Sequence, residues 1–305
     1  MKVLMTGSTG FVGTALCRDL QSAGHTVCRL VRPGTAAEQR RDADGFDVNW
    51  NPLSGELGGA AVGAEAVVNL AGASIADGRW TAQRKELLLA SRVDTTRALV
   101  RALSQMAARP RVLVSASGIG YYGNCGDQVL TEESPLGHDF LSRLGQEWEA
   151  EAAKAEALGI RVVRARFGII LAKHGGALPR MVRPFLWGAG GYIGSGEQWM
   201  SWVTLQDVVG ILRFALENGA VRGPINVVSP QPLRNAEFTK VLAKSLRRPA
   251  IFPAPAFALR LLLGEMADEL LLASQRAIPA QLEKLGYRFL HPDLPGALAV
   301  VWETA

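Results

Sequence analysis

The chain has 305 residues, of which 48% are apolar and 20% are charged, a composition typical of a folded globular protein and unlike that of long disordered tails. Lys and Arg number 33 against 28 Asp and Glu, which gives a net charge of +5. The basic residues are spread along the chain rather than clustered, so the charge argues against nucleic-acid binding and suits an anionic small ligand equally well.

Short runs of Val, Ile and Leu alternate with longer helical patterns. The runs stand at 2–5, 26–31, 66–71, 111–116, 160–170 and 224–228. Alternation of this kind predicts parallel strands joined by right-handed crossover helices, which is an α/β fold with a doubly wound Rossmann sheet. Ligands bind at the carboxyl ends of the strands in such sheets, so the residues after each run are the candidate site residues.

The first run leads into TGSTGFVG, in which Gly7, Gly10 and Gly13 follow the G-x-x-G-x-x-G pattern just before a helical stretch. Glycines at this spacing let the backbone and the helix N-terminus approach a pyrophosphate, whose charge the N–H groups stabilise. The pattern predicts a nucleotide site; the alternative is a purely structural turn. The predicted cofactor-binding residues here are Gly7, Thr9, Gly10, Phe11, Val12 and Gly13.

The end of the second run indicates which dinucleotide binds. It reads CRLVRPG, with Arg32 at the strand end and no acidic residue before Glu38. An acidic residue at this point accepts the ribose 2′-hydroxyl of NAD, whereas an Arg accommodates the 2′-phosphate of NADP. We therefore predict NADP (NADPH), with NAD the less favoured cofactor; the alternative is that Arg32 lies in solvent without a ligand.

The third run ends in NLAGA, where Leu70, Ala71 and Gly72 offer small residues beside the strand end. They are predicted to lie against the adenosine half of the nucleotide. Ordinary packing of small residues explains the pattern nearly as well.

The alternation of strands and helices loosens after residue 170, where glycines become frequent, and it returns briefly near 205–230. We predict a Rossmann domain of residues 1–170 plus 205–230 and a smaller substrate lobe of residues 171–204 plus 231–305. The apolar stretch 257–272 contains four charged residues and is shorter than the roughly 20 apolar residues of a membrane span. It is predicted to be a core-packed helix, with a partner interface as the alternative.

The stretches TGSTGFVG, NLAGA, SASGIGYYG, RFGIIL and SWVTLQDVV occur in this order along the chain. With them the sequence resembles the extended short-chain dehydrogenase/reductases of the NAD(P)-dependent epimerase/dehydratase superfamily. It is most similar to an atypical branch called the epimerase family proteins, and LLLGEMADELLLASQRAIPAQLEKLGYRF resembles the small C-terminal domain of that branch. The resemblance covers essentially the whole chain.

The resemblance implies catalysis by a Tyr-x-x-x-Lys pair on the helix after the fifth strand and by a Ser or Thr at that strand's end. It places Ser117 at the position of the hydroxyl that orients the substrate oxygen, with Ser115 beside the cofactor. No Tyr-x-x-x-Lys exists in the chain, since the expected helix, GHDFLSRLGQEWEAEAAK, has no Tyr. Tyr121 and Tyr122 of GYYG are the remaining candidates for proton transfer, with packing as the alternative role.

Other polar residues complete the candidate site. Glu132 or Glu133 offers a base, although LTEESP also makes a good turn. Arg166 belongs to a segment that contacts the nicotinamide end of the cofactor in the superfamily. Asp207 is predicted to cap a helix.

Two functions remain open. One is an NADP-dependent oxidoreductase or nucleotide-sugar-epimerase-like enzyme that acts on a small polar substrate of unknown identity; the other is a non-catalytic NADP-binding sensor or regulatory protein. The resemblance makes a homodimer plausible through the helices near 80–107 and 140–158.

The three cysteines are odd in number and lack CxxC spacing, and the apolar start MKVLM is too short for a signal peptide. We therefore expect no disulfide, no metal and a cytoplasmic protein without membrane segments.

Overall fold

The computed structural model describes residues 1–31, 41–42, 45–52, 57 and 61–303. The described strands are β1 Lys2–Thr6, β2 Thr26–Val31, β3 Arg41–Asp42, β4 Gly45–Asn49, β5 Ala66–Asn69, β6 Val112–Gly118, β7 Val129–Leu130, β8 Arg161–Phe167, β9 Ile169–Ala172, β10 Gly175–Gly176, β11 Trp199–Met200, β12 Trp202–Thr204, β13 Gly223–Val227, β14 Leu233–Arg234 and β15 Arg276–Ala277. The described α-helices are α1 Phe11–Ser22, α2 Ala82–Leu89, α3 Thr95–Ser104, α4 Phe140–Ala153, α5 Leu178–Leu186, α6 Leu205–Glu217, α7 Asn235–Leu246, α8 Ala256–Leu263, α9 Ala280–Lys284 and α10 Leu294–Glu303.

The central sheet has the strand order β13-β8-β6-β5-β1-β2-β4-β3. All of its pairings are parallel except that of β3 with β4. The predicted doubly wound Rossmann sheet is confirmed, and each of the six apolar runs overlaps one of its strands. The sequence pattern missed β4, whose GFDVN has too few apolar residues to stand out as a run.

The sheet buries both of its faces against helices. In β1, Val3 and Met5 pack in one apolar cluster with residues of α1 and α6. Leu4, between them, packs in another cluster with Leu99 and Leu103 of α3. Successive side chains of a strand point to opposite faces, so a strand covered on both sides is apolar at every position. This is why the short apolar runs were a reliable signal.

The chain leaves the central sheet at Gly168. The run at 160–170 predicted one strand, but the structure divides it into β8, which pairs with β13, and β9, which pairs with β12 in a second sheet. A side chain at Gly168 would collide with the backbone carbonyl of Ser201. The absence of a side chain therefore allows the strand to change partners without a gap in the backbone hydrogen bonds.

The residues of the predicted lobe have an apolar core of their own, formed chiefly by Trp202, Phe238, Leu242, Leu298 and Val301. It lies among α7, α10 and the strands β9 and β12. The division of the chain into the two predicted domains stays a prediction.

The core-packed helix predicted over 257–272 is wrong for its first half. Helix α8 has no buried residue, and Phe257 and Leu261 are strongly exposed. The chain turns at Gly264, where φ is 64°, and continues as a π-helical segment in which Ala267 is buried. No helix within the described ranges is long and apolar enough to cross a membrane.

Glu269 joins this C-terminal segment to helix α4. Its carboxylate accepts hydrogen bonds from the backbone N–H groups of Phe140 and Leu141, at 3.2 and 2.9 Å, in the first turn of the helix. Burial raises the pKa of Glu269 to about 7, since it outweighs these two hydrogen bonds, and Asp139 and Glu265 nearby raise it further.

This raised pKa predicts a pH-dependent stability. The folded protein keeps a proton on Glu269 that the unfolded chain releases near pH 4.5, so this group lowers the free energy of unfolding as pH rises from about 4.5 to about 7. Glu269→Gln should therefore show a smaller loss of stability over that range, measured by urea unfolding at each pH. The exposed Glu86→Gln variant serves as control, and identical pH profiles for Glu269→Gln and the wild type would contradict the assignment.

Candidate functional site

The glycine loop between β1 and α1 forms a cradle that side chains would fill. Gly7 has a φ of 68°, and a Cβ there would collide with the carbonyl of Leu70, while a Cβ at Gly13 would collide with the carbonyl of Gly7. Helix α1 begins after Gly10 without a side-chain cap. Its first N–H groups have no acceptor within the helix and carry the positive end of the helix dipole, which is the arrangement that binds a phosphate.

Ser8 supports this interpretation. Its hydroxyl is buried in the glycine loop and has no hydrogen-bond partner among the described residues. An unpaired buried hydroxyl costs free energy unless a ligand or water meets it. Thr9 beside it is exposed, and Phe11 packs against Gly175 and Gly176 of the lobe. The loop therefore fits the pyrophosphate of a dinucleotide, with its edge covered by the hairpin of β9 and β10.

A buried polar cluster ties the carboxyl ends of three neighbouring strands together. Asn69 of β5 accepts from the Thr6 hydroxyl of β1 at 2.7 Å and donates to Ser115 of β6 at 3.1 Å and to Thr96 of α3 at 2.8 Å. The Ser115 hydroxyl is thus buried, and its hydrogen bond with Asn69 joins the neighbouring strands β5 and β6. A direct contact between Ser115 and the cofactor stays a prediction.

Leu70, Ala71 and Gly72 continue from β5 along this edge. The Leu70 N–H donates to the carbonyl of Thr6 at 3.2 Å, which starts the loop beside the glycine cradle. Both predicted cofactor segments therefore lie at neighbouring strand ends. Arg32 lies outside the described residues, so its predicted contact with the 2′-phosphate is not tested.

A second buried cluster surrounds Ser117. Glu149 of α4 forms a two-pronged ion pair with Arg166 of β8, with Nε–Oε1 and Nη2–Oε2 distances of 2.7 and 2.8 Å. The Ser117 hydroxyl donates to the same carboxylate at 2.7 Å. Glu149 and Arg166 are 4% and 3% exposed, and the carboxylate raises the pKa of Arg166 although burial opposes it.

This geometry gives two of the predicted site residues structural partners. Arg166 points its guanidinium into the interior, where it pairs with Glu149; a contact of its segment with the cofactor through the backbone stays a prediction. The Ser117 hydroxyl donates its proton to Glu149 and would have to break this hydrogen bond to donate to a substrate oxygen. The sequence analysis missed Glu149, although an acidic residue four positions after Gly145 and eight after Leu141 stands on the apolar face of a predicted helix.

The two adjacent tyrosines lie in different environments. Tyr122 is 1% exposed, donates its hydroxyl proton to Asn226 at 2.7 Å and accepts from Arg166 at 2.9 Å. Burial raises its pKa to about 12. This placement argues against the predicted role of Tyr122 in proton transfer to a substrate.

Tyr121 is partly exposed, and its ring centroid lies 3.6 Å from the guanidinium carbon of Arg166. Its hydroxyl makes no hydrogen bond to the described part of the chain. Gly145 of α4 faces the Tyr121 backbone and ring. Of the two tyrosines, Tyr121 is the one with a free hydroxyl.

The acidic candidates are also placed. Glu132 is buried and accepts from the backbone N–H groups of Asn226 and Gln281, and burial raises its pKa. The prediction that Asp207 caps a helix is wrong, because Thr204 is the cap of α6. Asp207 accepts from the Thr204 hydroxyl at 2.9 Å and from the backbone N–H groups of Leu290 and His291 at 2.8 and 3.1 Å. Both carboxylates therefore join segments of the chain. Within the described residues, no group of His, Cys, Asp and Glu is arranged to hold a metal ion.

Comparison with known proteins gives two family matches. Residues 3–228 match the family model described as the NAD dependent epimerase/dehydratase family. Residues 254–301 match a domain of unknown function, DUF1731.

Similar proteins match along their whole length. An epimerase family protein of Mycobacterium leprae (strain TN) is 40% identical over 298 residues, covering 97% of this chain and 94% of its own. The epimerase family protein YfhF of Bacillus subtilis (strain 168) is 39% identical over 98% of this chain and 97% of its own. The crystal structure of human epimerase family protein SDR39U1 (isoform 2) with NADPH has a TM-score of 0.87 and 34% identity, and the match covers 100% of both chains.

The buried pair predicts a large effect of one substitution. Glu149→Ala leaves Arg166 buried without a counter-charge, and breaking a buried ion pair in this way costs about 3 to 5 kcal/mol. The free energy of unfolding, measured in urea, should fall by that amount. Glu147→Ala on the same helix removes an exposed pair with Arg143, at 3.9 Å, and should change it by less than about 1 kcal/mol. Equal effects of the two variants would contradict this account.

Proposed function

The chain belongs to the NAD dependent epimerase/dehydratase family, and we propose that it is an NADPH-binding oxidoreductase or nucleotide-sugar-epimerase-like enzyme acting on a small polar substrate. The observation that carries the proposal is the glycine cradle. It combines the uncapped N-terminus of α1 with the unpartnered hydroxyl of Ser8, in a chain 34% identical to a human protein whose structure was determined with NADPH.

The residues that hold the cofactor in this proposal follow from the strand ends. The backbone of Gly7 to Gly13 receives the pyrophosphate, because its three glycines bring no side chains of their own between the backbone N–H groups and a ligand. Leu70, Ala71 and Gly72 lie along the adjoining edge. Arg32 is assigned to the 2′-phosphate, and this assignment supports NADPH over NADH.

The proton in this proposal is handled by Tyr121. When bound, NADPH supplies a hydride from its nicotinamide ring. Tyr121 has a free hydroxyl, and its ring lies over the Arg166 guanidinium, a cation–π contact that holds the ring in place. A cation near a phenol is the feature that the missing Tyr-x-x-x-Lys pair would otherwise provide.

A specific observation favours the second candidate function, a non-catalytic NADP-binding sensor. Helix α4 carries no Tyr, Ser117 is held by Glu149, and Tyr122 is enclosed. In this alternative, cofactor binding alters the contact between sheet and lobe, and with it the affinity for a partner. A homodimer through the helices near 80–107 and 140–158, in the cytoplasm, remains part of both proposals.

Cofactor binding is the first test. NADPH at one hundred times its dissociation constant should stabilise the protein by about 2.7 kcal/mol, seen as a rise in Tm. Gly13→Ala should abolish the rise, because its Cβ collides with the Gly7 carbonyl, whereas Gly219→Ala, with open space around it, should keep the rise. Arg32→Asp should weaken NADPH more than NADH. A Tm unchanged by either cofactor in the wild type would exclude the proposal.

Turnover separates enzyme from sensor. With NADPH and the dicarbonyl 9,10-phenanthrenequinone as probe, Tyr121→Phe should lower kcat by about 10²-fold or more, a typical loss for a removed general acid, with NADPH affinity unchanged. Tyr122→Phe is the matched control: it loses a buried hydrogen bond, lowers stability by about 1 to 3 kcal/mol and keeps its kcat. Tight NADPH binding without turnover across a carbonyl panel would favour the sensor.

A further inference from the structure

Arg92 carries a buried positive charge beside the loop that follows β5. Its guanidinium donates to the carbonyls of Ala73 at 2.9 Å and Leu88 at 3.3 Å and lies 5.2 Å from the ring centre of Trp148. These groups offer partial negative charge only. In the described part of the chain, the Arg92 guanidinium donates to these carbonyls and to the Ser91 hydroxyl and to no carboxylate. Burial lowers its pKa to about 10, with a further contribution from Arg84.

The backbone around Arg92 is also irregular. Residues Ala90–Asp94 form a π-helical turn between α2 and α3. Such turns disturb the helical hydrogen bonds and recur at functional sites. Here the turn directs Arg92 against Gly72, where a side chain would press on the guanidinium. The irregular turn and the Gly72 contact together place the charge beneath the loop.

Arg84 is a second cation at the same loop. It lies on α2, is partly exposed and donates to the carbonyl of Ser74. Its Nε is enclosed and has no hydrogen-bond partner among the described residues. Arg84 forms no ion pair within 4 Å of a described carboxylate, although it contributes to lowering the pKa of Asp77 after the larger effects of Arg180 and Ser74. Two guanidinium groups therefore meet the loop at adjacent carbonyls, and neither has a carboxylate in direct contact.

A third arginine shows the contrast. Arg180 of α5 donates to the carbonyl of Ala76 at 2.7 Å and also pairs with Asp77. The same loop is thus held at one end by a cation in direct contact with a carboxylate and, at the end next to Gly72, by two cations without such a contact. That end adjoins the strand edge to which the cofactor is assigned.

We propose that Arg84 and Arg92 form a subsite for an oxyanion, a carboxylate or phosphate group, of the substrate. Arg84 makes the direct contact and Arg92 adds charge from beneath Gly72. Guanidinium groups pair with planar carboxylates and with phosphates through several hydrogen bonds at once. This assignment rests on the proposed function, because it names the class of substrate as an acid or a phosphate ester. The other source of the same chemistry is a phosphate of the cofactor itself.

The test is a calorimetric titration of the full-length protein with inorganic phosphate, in the absence of NADPH and at NADPH saturation. The wild type should bind phosphate in both states. Arg84→Gln should weaken phosphate binding by about tenfold, the effect of losing a charged hydrogen bond. Arg180→Gln is the matched control, since its charge is already compensated, and should leave phosphate binding within about twofold.

The two phosphate titrations distinguish between a group of the substrate and a phosphate of the cofactor as the ligand of this subsite. Phosphate that binds the NADPH-saturated protein and is weakened by Arg84→Gln supports the substrate subsite. Phosphate that binds only without NADPH, with NADPH itself weakened by Arg84→Gln, assigns the oxyanion to the cofactor and overturns the proposal. Equal binding by the wild type, Arg84→Gln and Arg92→Gln also overturns it. If the wild type binds no NADPH the proposed function fails, while the phosphate titration still reports on the subsite.

Arg92→Gln removes a buried side chain that supports the loop, so its Tm is measured first. Arg92→Lys keeps the charge but loses the paired donors. It should retain phosphate affinity to within about threefold if charge is the main contribution. If Arg92→Gln does not fold, Arg84→Gln and Arg92→Lys decide the outcome.

Discussion

The ion pair between Glu149 and Arg166 is the constraint on which the arrangement of this site depends. Removing two charges from water is costly, and their attraction repays the cost only when the geometry is close to ideal. Both prongs of the pair are short, and Ser117 and Tyr122 use much of the remaining hydrogen-bonding capacity. These contacts therefore fix the distance between helix α4 and the strands β6 and β8. Tyr121 lies against the same helix at Gly145.

The fold followed from the sequence because a parallel sheet covered on both faces has a strong local signature. A run such as KVLM has apolar residues on both faces of the strand. The glycine spacing of TGSTGFVG predicts a close approach of the backbone to a ligand. Strand β4 lacked such a run, and the division at Gly168 was hidden inside an unbroken one. A local pattern reports which residues are buried. It does not report which strand or helix they are buried against.

The candidate site was less predictable for the same reason. Its polar residues were recognised by type and position, but Ser115, Ser117, Glu132 and Tyr122 all face partners distant in the sequence. The C-terminal segment gave the opposite error: FALRLLL suggested burial, whereas α8 has no buried residue. The residues that follow it make the contact with α4, through the apolar Met266 and through the carboxyl group of Glu269. In both cases the tertiary partner, which composition does not encode, decides the role of the residue.

One short turn places the two adjacent tyrosines in different environments, so that only one of them has a hydroxyl free to contact a ligand. Their rings lie 5.6 Å apart at an interplanar angle of 82°, so the turn sends Tyr122 into the interior and leaves Tyr121 at the surface of the same guanidinium. Arg166 serves both: it donates a hydrogen bond to one and lies beneath the ring of the other. A site built in this way keeps its cation fixed by Glu149 whether or not a ligand is present. Arg84 and Arg92 have no such two-pronged carboxylate partner among the described residues, so in the proposed subsite the anionic group of the substrate would supply the counter-charge that Glu149 supplies to Arg166.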